Sequence, residues 1–131
     1  MKHAAAYAAC LAATVALDLL WLGKMGAILY RPALGELLAD NFRPAPAIAF
    51  YLLYAFGVVF FVVAPALESK SWAEAAFKGA LFGLVGYGVY DLTNQATLKN
   101  WPVAVTLADM AWGAFLTACA ATAGFFAGRA V

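Results

Sequence analysis

The sequence predicts an all-α, polytopic membrane protein: a four-transmembrane-helix bundle with a short interfacial amphipathic segment between helices 1 and 2. Three observations carry this. Hydrophobic residues make up 66% of the chain and charged residues 11%, against about 25% charged in a soluble domain, so there is too little charge to cover a water-facing surface. Residues 44–67 and 110–128 carry no charge at all, and about 20 apolar residues in a helix cross the hydrocarbon core. Lipid offers no partner to free backbone N–H and C=O groups, and these runs are too long and too little alternating for barrel strands.

The 131 residues make one domain, with spans expected at about 4–29, 45–66, 72–99 and 102–128. The start has the look of a signal peptide, but the hydrophobic run continues past Cys10 to Leu22 and reads as a first span. Helix 1 is interrupted by Asp18, Gly23 and Lys24, and Pro32 discourages its continuation. Residues 33–39 then form the amphipathic piece, with Leu34, Leu37 and Leu38 on one side and Glu36 on another. Helix 2 is expected to start near Pro44 or Pro46, since proline is tolerated in a first turn, and to end near Pro65. Ser71 and Glu74 have the spacing of a capping box, so helix 3 should start at Trp72 and run to Lys99. Its Gly79, Gly83 and Gly86 let another helix approach closely. Asn100-Trp101-Pro102 reads as a tight turn with Asn100 as cap, and helix 4 follows to Gly128. Tyr30, Trp72 and Trp101 fall near helix ends, where aromatics favour the headgroup region.

Three carboxylates interrupt the spans: Asp18, Asp91 and Asp109. Each costs roughly 2.5–3.5 kcal/mol at mid-bilayer, and such residues face the bundle interior. Helices 1 and 3 run one way and helix 4 the other, so counting at about 1.5 Å per residue places all three in one slab about 10–17 Å from the same membrane face. Tyr51 and Tyr54 enter it from helix 2. Tyr87, Asp91 and Asn94 share one helical face, as do Asp109, Gly113 and Thr117, and Thr14, Asp18 and Trp21. Asp-x-x-Trp occurs twice, at Asp18/Trp21 and Asp109/Trp112, with each tryptophan expected to pack beside its own aspartate. Lys24 and Lys99 lie near the mouth of the slab, each able to neutralise one carboxylate. Crowded carboxyls do not all ionise cheaply, so at least one is expected to keep its proton near neutral pH.

Other chemistry is excluded or unsupported. A net charge of +1 gives no basic field for nucleic acid. Cys10 and Cys119 lack metal-ligand spacing and read as small packing residues, and His3, the single histidine, sits at the terminus. There is no phosphate loop, nucleophile elbow or histidine metal motif, so neither a metal nor a cofactor is expected.

The run Tyr90-Asp91-Leu92-Thr93-Asn94-Gln95-Ala96-Thr97-Leu98-Lys99-Asn100-Trp101 resembles the signature of a bacterial family of membrane proteins, domain of unknown function family 2177. Asp18-Leu19-Leu20-Trp21-Leu22-Gly23, Phe50-Tyr51-Leu52-Leu53-Tyr54 and Asp109-Met110-Ala111-Trp112-Gly113 look like its other motifs. The resemblance implies a multi-pass, four-span protein of the bacterial inner membrane and no particular activity.

The leading functional expectation is small-molecule or ion binding and transport through the carboxylate cluster. Asp91 would be the main charged contact and Asn94 its hydrogen-bonding partner. Asp18 and Asp109 complete the polar site, and Tyr51, Tyr54, Tyr87, Trp21 and Trp112 form the wall. A four-helix protein is slim for transport, so a homodimer is expected beside the lipid bilayer itself. The rivals are a membrane enzyme or accessory subunit acting on lipid-like substrates, marked by a crevice open sideways to lipid, and a structural partner of another membrane protein, marked by a closed and fully paired core. Lysine and arginine tie at four per side (Lys2, Lys70, Lys78 and Arg129 against Lys24, Arg31, Arg43 and Lys99), so the positive-inside rule does not orient the chain. Local offset of Arg31 and Arg43 by Glu36 and Asp40 favours cytoplasmic termini.

Overall fold

The computed structural model describes all of residues 1–131, and almost all of the chain is helical. Four long helices follow one another: α1 (Lys2–Leu37), α2 (Pro44–Ser69), α3 (Trp72–Thr97) and α4 (Val103–Arg129). α1, α2 and α4 are long and apolar enough to cross a membrane. α3 has the length, 26 residues, but Glu74, Lys78, Asp91 and the run Thr93-Asn94-Gln95 dilute its hydrophobicity, so composition does not mark it as a span. The outer surface is apolar, with Leu20, Phe60, Phe61, Phe77, Val89 and Leu107 among many large hydrophobic side chains left exposed. A water-soluble monomer rarely carries such a surface, whereas lipid solvates it.

Both prolines expected to end helices lie inside them instead. α1 runs on through Pro32, so Ala33 and Leu34 belong to its last α-helical turn and the short segment after it begins at Gly35, and α2 runs through Pro65 to Ser69. The reason is the same in each. A π-helical turn, Gly26–Tyr30 or Val59–Val63, ends two residues before the proline. It closes with a wide bond, from the Arg31 N–H to the Gly26 carbonyl and from the Ala64 N–H to the Val59 carbonyl. The extra residue takes up the backbone bond that proline lacks and the carbonyl its ring would strike. The α-helical part of α1 ends at Leu34, before Gly35, whose φ of +49° suits glycine, and a 3-10 turn over Gly35–Leu37 closes the helix. Lys70 ends α2 in the left-handed region. The Ser71 side chain then accepts the Glu74 N–H at 3.1 Å, starting α3 where the capping box places it. α4 begins after Pro102, not after a capping Asn100, and has no side-chain cap; Trp101 Nε1 instead donates to Thr106 Oγ1 at 3.1 Å.

α4 is the central helix, packed along its length by α3 and α1. α2 joins through its second half: Ala55, Val58, Val59, Val62, Val63 and Ala66 form one buried cluster with Ala6, Cys10, Ala75, Ala120, Ala121 and Phe125. Small residues set the spacing. A Cβ on Gly124 or Gly128 would lie 3.1 Å from the backbone oxygen of Ala6 or Lys2, and one on Gly79 would lie 2.8 Å from that of Thr117. Such approaches let backbones pack by dispersion where lipid supplies no hydrophobic drive. The backbone of the first half of α2, from Pro44 to Tyr54, runs close only to α1. Tyr54 reaches Phe82 and Tyr87 of α3 and Thr117 of α4 with its side chain, and between the backbones of α2 and α3 the bundle stays open.

Candidate functional site

The opening is a cavity of about 710 Å³ between all four helices, at the end away from the termini. Eight of its fifteen lining residues are aromatic, two are aspartates (Asp18 and Asp109) and none is lysine, arginine or histidine. A charged amphipathic ligand would meet acid and π-faces there and no balancing base.

The floor is an interlocked pair of Asp-x-x-Trp units. Trp21 of α1 and Trp112 of α4 stack face to face, with centroids 4.4 Å apart and planes 10° from parallel. The tryptophans do not serve their own aspartates. Trp112 Nε1 donates across the crossing to Asp18 Oδ1 at 3.1 Å. Trp21 Nε1 donates at 2.8 Å to the Tyr30 hydroxyl, which in turn donates to Asp109 Oδ1. Each indole thus supports the carboxylate of the opposite helix, the second through a tyrosine relay. Asp18 Oδ2 accepts the hydroxyl of Tyr51, so both of its oxygens are held. Lys24 and Lys99 do not reach the carboxylates: the ion pair in the structure is Lys78–Glu74, at 3.6 Å on the opposite end of α3. Hydroxyl and indole donors satisfy the acids without bringing a second charge into low dielectric, where desolvating both ions is costly.

The other expected residues divide. Tyr54 lines the cavity, with its hydroxyl 2.6 Å from Thr117 Oγ1. Tyr87 meets it edge-on at 6.0 Å and lines the cavity too. Tyr51 touches Asp18 from outside the lining. Asp91 and Asn94, expected as the main contacts, do not line the cavity. Asp91 is 0% exposed, and neither of its oxygens has a hydrogen-bond donor. Asp91 is enclosed although Tyr87, one turn earlier on the same face, and Tyr90 beside it both line the cavity, and Asn94 stands half-buried outside the lining. Gly86 also departs from expectation. It borders the cavity, and its Cβ would meet only the Tyr54 ring, at 3.6 Å.

Tyr30, Phe50, Tyr90 and Trp101 complete the aromatic wall, and Tyr90 and Trp101 meet at right angles, 5.9 Å apart. The sequence reading placed Tyr30 and Trp101 at the headgroups. For Tyr30 the missed signal is the passage of α1 through Pro32, which keeps Tyr30 within the helix with its hydroxyl on Asp109.

A family model, predicted membrane protein DUF2177, matches residues 3–126. The chain belongs to this family. The match covers every side chain of the cavity. No curated protein and no solved structure matches the chain.

Proposed function

We propose that this member of DUF2177 is a four-span protein of the bacterial inner membrane that binds an amphipathic organic cation within the bilayer, as the binding step of transport. The observation that carries this is the cavity lining, with two aspartates and eight aromatic rings and no basic group. Aromatic faces attract desolvated cations by about 2 kcal/mol or more each, and carboxylates in low dielectric add a charged contact. A volume of about 710 Å³ suits a drug-sized molecule. The gap between α2 and α3 gives such a ligand a path from the lipid. As the fourth span, α3 is about 39 Å long and lies antiparallel along α4, with Asp91 turned away from lipid.

The sideways gap also favours a second reading, a membrane-embedded enzyme or accessory subunit acting on lipid-like substrates, with Asp109 and Tyr30 as the acid–base pair. It ranks second because no nucleophile stands beside them.

Binding is tested with two ions of one shape and opposite charge, tetraphenylphosphonium and tetraphenylborate, on the purified chain in nanodiscs, reading fluorescence from Trp21 and Trp112. The phosphonium should bind saturably, and Asp109→Asn should weaken it at least tenfold, about 1.4 kcal/mol. Equal saturable binding of both ions, or binding untouched in the Asp18→Asn/Asp109→Asn double variant, overturns the reading. Orientation is proposed with termini in the cytoplasm; phosphatase activity without fluorescence from paired C-terminal reporter fusions overturns that.

A further inference from the structure

Asp91 is the most enclosed acid in the protein, 0% exposed with both oxygens lacking a donor. One turn further along α3, Gln95 buries its Oε1 without a donor as well, on the same helical face. The group that faces Asp91 across the seam is the carboxyl of Asp109. Asp109 also borders the cavity and has one oxygen held by Tyr30. The remaining titratable groups near Asp91 are the phenols of Tyr30 on α1 and Tyr90 on α3, and no lysine, arginine or histidine stands there.

A set of buried acceptors with no donor is not stable as it stands. Each unpaired acceptor costs about 1–3 kcal/mol, and two facing carboxylates repel. A proton held between the two carboxyls relieves both costs at once, by giving an oxygen a donor and removing one negative charge. A hard metal cation takes about six or more oxygens, more than these side chains supply, whereas a proton needs only two facing ones.

We propose that Asp91 and Asp109 hold one proton between them and that an organic cation seated at Asp109 displaces it, one for one. The displacement rests on the cation-binding reading above; the shared proton does not. On displacement the O–H bond at Asp91 breaks, its electron pair stays on the carboxylate, and the proton leaves past Asp109 through the cavity to water. The cation replaces one positive charge with another, so the site keeps its total charge. Asp109 is the exchange point because it is the one carboxyl that both faces Asp91 and borders the cavity, and Asp91 stands behind it.

Two measurements on the full chain in nanodiscs test this. In the first, tetraphenylphosphonium is titrated in weakly buffered medium with a pH indicator. The wild type should release about one proton per cation bound, as a coupled pair requires, while Asp91→Asn binds and releases none. Binding without release, or equal release from Asp91→Asn, overturns the exchange. In the second, infrared spectra of the protein without ligand at neutral pH should show a protonated-carboxyl C=O band that Asp91→Asn removes. Absence of the band in the wild type overturns the shared proton, and so does a band that survives in Asp91→Asn. A band abolished by added sodium and restored when the sodium is dialysed away into low-salt medium names a metal cation as the occupant and overturns it equally. The wild-type spectra need no variant, so a poorly folding Asp91→Asn leaves the test intact. If the phosphonium fails to bind yet the band is present, the function reading falls and the shared proton stands.

Discussion

At the end that carries both termini, α1, α3 and α4 meet through glycine and alanine, and at the other end they meet through tryptophan, tyrosine and aspartate. The first arrangement brings backbones nearly into contact: Gly79, Gly124 and Gly128 each face a backbone oxygen of a neighbouring helix. The second holds the backbones apart on stacked rings and bridging hydroxyls and lets the first half of α2 reach α3 only through the Tyr54 ring. The difference teaches that the cavity follows from residue size. Small side chains let one end close, bulky ones wedge the other open, and the hydrogen bonds of Asp18 and Asp109 stop the wedge from collapsing.

The comparison breaks most readily at Gly83. It lies on the α3–α4 seam, and a Cβ there would approach Thr117 Oγ1 to 2.6 Å and strike the Gly113 backbone. Backbone cannot turn aside as a side chain can, so Gly83→Ala should cost about 3 kcal/mol, the upper end of overpacking. Unfolding in detergent mixtures, with Gly23→Ala as the open-space control, measures it. A cost below that of the control would show that the seam is looser than the geometry states.

Asp18 comes next. Asp18→Ala leaves the Tyr51 hydroxyl and the Trp112 indole without their acceptor. Interhelical hydrogen bonds in membranes average about 0.6 kcal/mol and reach about 1.7, so losing two should cost about 1–2 kcal/mol. Asp18→Asn, which keeps an acceptor oxygen, should cost less than half as much. Equal losses from both variants would mean that charge, and not acceptance, holds the open end. Denaturant titration followed by tryptophan emission reads both.

A smaller effect is expected at Tyr30. Tyr30→Phe removes one bond to Asp109 and one from Trp21 but keeps the ring in the wall, for a loss of about 1.2 kcal/mol at the average of about 0.6 for each bond. It also leaves Asp109 Oδ1 free to meet a ligand. Affinity for tetraphenylphosphonium should therefore rise while stability falls, and both falling together would make Tyr30 part of the ligand contact and not a competitor for Asp109.

These sites also show what the sequence made legible. The uncharged runs, the capping box at Ser71 and Glu74 and the shared level of Asp18 and Asp109 follow from composition and helical rise, which are local quantities. The passage of α1 and α2 through Pro32 and Pro65 was not legible. A single proline signals a broken bond, and only the π turn before it shows how that bond is replaced. Nor could spacing reveal that Trp112 serves Asp18, because hydrogen bonds across a helix crossing depend on rotation about each axis. Asp91 shares a face with Tyr87, which lines the cavity, so spacing alone could not separate the enclosed position from the lining one, nor show that Gly86 faces the Tyr54 ring and no backbone.

Gly86 gives the smallest effect and the sharpest form of the comparison. It lies three residues from Gly83 on the same helix, yet a Cβ there would meet only the Tyr54 ring, at 3.6 and 3.9 Å, which is ordinary contact. The steric term that dominates at Gly83 is absent, and the helix-propensity term remains. Replacing a helical glycine by alanine gains about 0.5–1 kcal/mol, so Gly86→Ala should be neutral to slightly stabilising where Gly83→Ala is damaging. The cavity loses about one methyl group of volume, too little to exclude a drug-sized ion, so binding should hold. Gly86→Leu separates packing from ligand access: its side chain projects between α2 and α3, leaving the fold intact but reducing phosphonium binding severalfold. If Gly86→Ala destabilises as much as Gly83→Ala, the backbones of α2 and α3 approach in the membrane well beyond the Tyr54 contact, and the open end of the bundle is closed there.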